Sequence, residues 1–154
     1  MNEPAPRIRI ELQVIFFDTD CGGVVHNIAY LRFIETARTL LAEKLGLALA
    51  EMAETQRYPV VVRTEIDYRR AAKLADQLVV DGWLDRLYRA RFWCGFKIIR
   101  PRDDALIVEC RQMLALVQMP GGKLLRLPED WDRYRKENAD ADVAAPVTAG
   151  RRRN

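Results

Sequence analysis

The chain has 154 residues, 49% of them hydrophobic and 31% charged, which is enough for one domain or one domain with a tail. Its formal charge is +3, and Arg151, Arg152 and Arg153 account for all of it, so residues 1–150 are formally neutral and present no basic nucleic-acid-binding face. No apolar run is long enough to span a membrane, and Met1–Pro6 lacks the basic-then-apolar pattern of a signal peptide, so a cytoplasmic protein is expected.

Residues 8–17 alternate apolar and polar for most of their length, which predicts a strand. Asp18 to Val25 carries two aspartates and two adjacent glycines and reads as a loop. From Asn27 the period becomes helical: Ile28, Leu31, Ile34, Leu41 and Leu45 recur on one face, widened by Ala37 and Leu40. Asn27 suits the N-cap and Gly46 the C′ position, giving a helix of about five turns. A short helical piece is expected around Leu49–Thr55.

After Tyr58-Pro59 the pattern turns to strands at Val60–Arg69, Gln77–Leu87, Arg91–Arg100 and Leu106–Met119. Leu78, Val80 and Leu84 share one face of the second of these, with Val79 and Trp83 on the other. Arg102-Asp103-Asp104 reads as a turn, and Pro120-Gly121-Gly122 ends the last long strand. Leu124–Leu127, Pro128 and a polar helix near Glu129–Lys136 close a single domain of residues 1–137. The composition of residues 138–154 predicts a disordered tail. Strand, long helix and four more strands with short turns imply an α+β fold with an antiparallel sheet. One helix cannot cover both faces of such a sheet, so the remaining apolar surface predicts self-association.

Cys21, Cys94 and Cys110 are odd in number and widely spaced, and the chain has one histidine. No metal-ligand spacing is present, and free thiols are expected. The chemistry concentrates where the glycine loop meets the helix. A helix N-terminus offers unpaired N–H groups and positive potential to a developing oxyanion, and a nearby carboxylate can act as nucleophile or general base. On spacing alone the same residues also read as a turn and cap.

The run Phe17-Asp18-Thr19-Asp20-Cys-Gly-Gly23-Val24-Val25-His26-Asn27-Ile-Ala-Tyr30-Leu-Arg-Phe33-Ile-Glu35-Thr-Ala37-Arg38 resembles the 4-hydroxybenzoyl-CoA thioesterase-like family of hotdog proteins, which includes thioesterases linked to the Tol-Pal system. Ile66-Asp67-Tyr68 and Ala72-Lys-Leu-Ala-Asp76-Gln-Leu78 extend the match, so it covers roughly residues 8–130. The resemblance implies a hotdog fold, an antiparallel sheet of about five strands wrapped around one long central helix. It implies a thioesterase that hydrolyses a small or medium acyl-CoA without metal or cofactor, acting as a homodimer or homotetramer with sites at the interface.

It further implies that Asp20 is the catalytic carboxylate and that the backbone N–H of Asn27 polarises the thioester carbonyl. Gly23 and Val25 fall in the matching substrate-binding stretch. Arg89 and Arg91 fall where family members contact the nucleotide of coenzyme A, although the family often has serine at the position of Arg91. In the Tol-Pal-linked branch the residues after Gly-Val-Val run Tyr-His; here they are His26-Asn27, so the histidine comes one place early. An imidazole role therefore does not transfer by position, and His26 stands either as a donor at the site or as a packing or capping residue. Glu35 is expected to pair with Arg38. Hotdog hydratases carry D-x-x-x-x-H, which neither Asp18 nor Asp20 forms with His26, so that activity ranks lower. A non-catalytic acyl-CoA sensor is the other alternative.

Overall fold

The computed structural model describes residues 3–135; the tail expected at 138–154 and the end of the last polar helix fall outside them. Six strands, β1 (Arg7–Gln13), β2 (Arg57–Tyr68), β3 (Gln77–Leu87), β4 (Arg91–Arg100), β5 (Ala105–Gln118) and β6 (Lys123–Leu124), form one antiparallel sheet. The order is β1-β3-β4-β5-β2, with β6 paired to the end of β5. The long helix α1 (Asn27–Lys44) packs against the inner face of this sheet, and α2 (Leu49–Thr55) follows it. This is the hotdog arrangement.

Strand boundaries for β3 and β4 fall where the alternation places them, and the inner face carries Leu78, Val80, Leu84, Phe92, Phe96, Ile98, Leu114 and Leu116, all buried. On the outer face the Trp83 ring lies across Gly95, where any side chain would run into the indole. β1 is shorter than the alternation suggests. The chain leaves the sheet after Gln13 and makes a 3-10 turn at Phe16–Asp18, because the Asp18 carboxylate takes the Ile15 N–H at 3.0 Å.

The helix also differs in detail. Its N-cap is His26, one residue before the expected Asn27, with Nδ1 accepting from the Ala29 N–H at 3.2 Å. The buried face is Ala29, Tyr30, Phe33, Ile34, Ala37, Leu41 and Ala42. Ile28 is 65% exposed and Leu40 37%, so the stripe is rotated from the one read off the large aliphatic residues. Small alanines let the helix approach the sheet while Phe33 fills the core; truncating Phe33 to Ala should cost about 3–5 kcal/mol. Gly46 ends α1 with φ +80° at the C′ position.

Two devices close the ends of the domain. At one end, the 3-10 segment Glu129–Tyr134 docks Trp131, whose indole N–H donates to Leu45 O at 2.9 Å and whose ring meets Phe92 edge-on at 5.1 Å. At the other, buried Arg100 donates to Asp76 at 3.0 Å, to Asp103 at 2.8 Å and to Ala71 O at 3.2 Å. No helix among the described residues is long and apolar enough to cross a membrane.

Candidate active site

The loop from Asp18 to His26 folds as a miniature hairpin. Thr19 and Val25 form an antiparallel bridge, the Asp20 N–H donates to Val24 O at 2.9 Å, and the Gly23 N–H closes a β-turn onto Asp20 O at 3.0 Å. Gly23 has φ +73°, the conformation this turn requires and glycine provides. Asp20 begins the turn, and its Oδ1 accepts the Gly22 N–H at 2.8 Å, an Asx turn. The residue is exposed, so its other carboxylate oxygen faces solvent space.

The return strand of the hairpin leads straight into α1. Val25 is buried and donates its N–H to Ala72 O at 2.9 Å, so its side chain belongs to the core and lines no open surface. His26 caps, which spends Nδ1 on the helix and leaves Nε2 as a donor. The tautomer follows from this bond. Asn27 is the first helical residue, exposed, and its N–H has no acceptor within the helix. Tyr68, at the end of β2, donates to Asn27 O at 3.4 Å and tilts against Tyr30 at 5.8 Å. Asp20 and Gly23 thus lie in the turn of a hairpin whose return strand ends at His26 and Asn27, where α1 begins.

A second loop supports the first. Lys73 bridges Val24, Ala72 N–H donates to the Tyr30 hydroxyl at 3.0 Å, and Val14 exchanges bonds with Ala75 and Asp76. Asp76 is buried; burial alone would raise its pKa, but the Lys73 N–H and the Arg100 and Arg102 guanidinium groups outweigh this and lower it. The hydrogen bonds from Arg100 hold Asp103 at about 2. These charges fix the turn that backs the site.

Arg89 and Arg91 lie elsewhere. They line a cleft of about 520 Å³ together with Tyr88, Arg126, Leu127 and Arg135. Arg135 is held by Asp132 at 2.6 Å and by Tyr88 O at 3.1 Å. This cleft sits at the β3–β4 turn, whereas the Asp20 loop rests on the residues before β3. The two are separated by the 11 residues of that strand, about 35 Å at ~3.3 Å per residue. Within one chain the structure does not bring them together.

Sequence reading missed Arg126 and Arg135, whose segment showed no motif, and Arg32, which stood inside the matched run without a role. Cys21 is exposed beside Asp20, while burial pushes Cys94 up to about 12 and Cys110 up to about 11. Glu35 pairs with Arg38 at 3.6 Å as expected, and Arg38 also donates to Gln112 at 2.6 Å.

A curled sheet around one helix, with an acidic hairpin at the helix N-terminus, defines a hotdog thioesterase, an enzyme of the thioester hydrolase class. The chain belongs to the thioesterase-like superfamily, whose family model matches residues 14–135. It is 44% identical over 120 residues to the acyl-CoA thioesterase YbgC of Haemophilus influenzae, covering 77% of this chain and 87% of that one. It is 25% identical over 122 residues to a 1,4-dihydroxy-2-naphthoyl-CoA hydrolase of Synechocystis, covering 79% and 88%. Among solved structures, a probable thioesterase from Bartonella henselae matches with a TM-score of 0.73 and 28% identity, over 80% of this chain and all of that one.

Proposed function

We propose that this chain hydrolyses acyl-CoA thioesters of small or medium acyl groups, with Asp20 supplying the reacting carboxylate and the start of α1 polarising the carbonyl. The observation that carries the reading is the hairpin itself. It presents an exposed carboxylate at the first turn position and returns directly to the exposed N-terminal amide of Asn27. The carbonyl oxygen would accept from that amide, where the helix dipole favours negative charge. Asp20 either attacks the carbonyl carbon or removes a proton from the attacking water. In both courses the carbon–sulfur bond breaks, coenzyme A leaves as the thiol, and water supplies the second oxygen of the acid.

The distance between Asp20 and the arginine cleft points to a dimer. β2 ends the sheet, its outer edge is unpaired among the described residues, and Val60, Val61 and Val62 are 37–49% exposed along it. An open edge of 12 residues invites pairing with a second copy. β2 runs parallel to β4, with Tyr68 at the Asp20 end and Arg91 at the other. Antiparallel pairing of two β2 edges about a two-fold axis sets each Asp20 loop at the same end as Arg89 of the partner subunit. Guanidinium groups there would take the phosphates of coenzyme A. Ile15, Phe16, Phe17 and Ile28, all more than half exposed around the loop, would be covered by the same contact.

The test is thiol release from a panel of aliphatic and aromatic acyl-CoAs. Asp20→Asn keeps an oxygen for the Gly22 N–H and removes the charge, so kcat should fall at least about a hundredfold. Equal release by wild type and variant from every substrate refutes the role of Asp20. Binding of acyl-CoA without release by either would favour a sensor.

A further inference from the structure

Asp18 is 1% exposed, yet it is a carboxylate two residues from Asp20. Its Oδ2 accepts from Ile15 N–H at 3.0 Å, its Oδ1 from the Arg32 guanidinium at 2.7 Å, and its carbonyl from His26 N–H at 3.0 Å. One residue therefore joins the exit from β1, the second turn of α1 and the helix cap. The polar bonds of Asp20 are of another kind: those to Gly22, Gly23 and Val24 all stay inside the hairpin. They shape the turn and do nothing to place it against α1. That placement comes from Asp18, together with the bond between Val25 and Ala72.

We infer that Arg32 is a positioning residue for the thioesterase reaction: by holding buried Asp18 to the side of α1, it sets Asp20 relative to the Asn27 amide. This rests on the reading of Asp20 proposed above. The bland alternative is a surface ion pair worth little, since the Arg32 side chain is 55% exposed and also lies over the Phe33 ring at 5.0 Å. Its partner decides against that alternative. The Asp18 side chain is 1% exposed, and a buried carboxylate left without its cation is strongly destabilising where it stands. The chain meets that demand most simply by letting the loop open toward water, which moves Asp20. Reacting groups misplaced by about 1 Å can lose as much as a hundredfold in rate.

The experiment compares wild type, Arg32→Met, Arg32→Lys and the double variant Asp18→Asn/Arg32→Met. It reads kcat and KM for the best acyl-CoA, the melting temperature, and hydrogen exchange at the amides of Gly22 and Gly23. Arg32→Met should lower kcat about tenfold or more with KM within twofold and speed exchange in the hairpin, and Arg32→Lys should recover most of the loss. The double variant removes the unpaired charge, so its melting temperature should recover while kcat stays low. Wild-type kcat with unchanged exchange in Arg32→Met overturns the inference, and so does joint recovery of kcat and melting temperature in the double variant. If wild-type protein cleaves no thioester, the reading of Asp20 fails by itself. Faster exchange at Gly22 and Gly23 in Arg32→Met then still supports the placing role, and unchanged exchange refutes it.

Discussion

The two ends of the sheet are built on opposite plans. At the Asp20 end, three buried charges, Asp18, Asp76 and Arg100, are all paired: Asp18 with exposed Arg32, Asp76 with Arg100 and exposed Arg102, and Arg100 also with exposed Asp103. At the other end Arg89, Arg91 and Arg126 stand exposed around an open cleft. Buried pairs give little net stability but punish any departure from their geometry. Exposed cations are cheap to hold and act through charge and reach. The contrast fits one end that must place reacting atoms and another that must only grip a charged handle.

Kinetics can break that division. Arg89→Ala and Arg126→Ala should each raise KM for acyl-CoA by about tenfold, since a hydrogen bond to a charged group is worth ~1.5–3 kcal/mol, and leave kcat nearly unchanged. Steady-state assays check this. A fall in kcat at constant KM would place these arginines at the chemistry and erase the distinction between the ends.

Acid melts sharpen the same contrast by a smaller effect. The folded value of Asp103, about 2, lies below its ordinary 3.8, so its contribution is present above about pH 4 and is lost as pH falls through about 2. Asp76 is lowered too and acts in the same sense. Asp103→Asn should melt below wild type at pH 7, with the gap closing by pH 2 to 3. A variant at the arginine end, Arg126→Ala, should track wild type across that range.

Much of the scaffold was legible because period and burial agree. β3 and β4 start and stop where alternation does, and Gly46 ends the helix as its type suggests. Legibility failed where a side-chain hydrogen bond or packing against the sheet overrode the periodic pattern. Residues 14–17, an all-apolar run, read as the end of the first strand, but Asp18 draws Ile15 into a turn. Ile28 reads as core and stands exposed, because the sheet selects the alanine and phenylalanine face. At the site, Asp20 and Asn27 were named through family resemblance. The Asp18–Arg32 pair spans 14 positions and leaves no signature in spacing. The positions of Arg89 and Arg91 were legible; their remoteness from Asp20 needed the strand order.

That remoteness has a consequence for how damage combines. If each site draws its carboxylate from one subunit and its arginines from the other, two differently disabled chains can rescue one another. A dimer of one Asp20→Asn chain and one Arg89→Ala chain would gather both lesions into a single site and leave its other site whole. Random mixing of the two would yield about half mixed dimers, each with one sound site of two, so about a quarter of all sites would work. At acyl-CoA concentrations well below KM, co-expression of the two would then give more activity than either chain alone, whereas two self-sufficient subunits would give only the average of the pair.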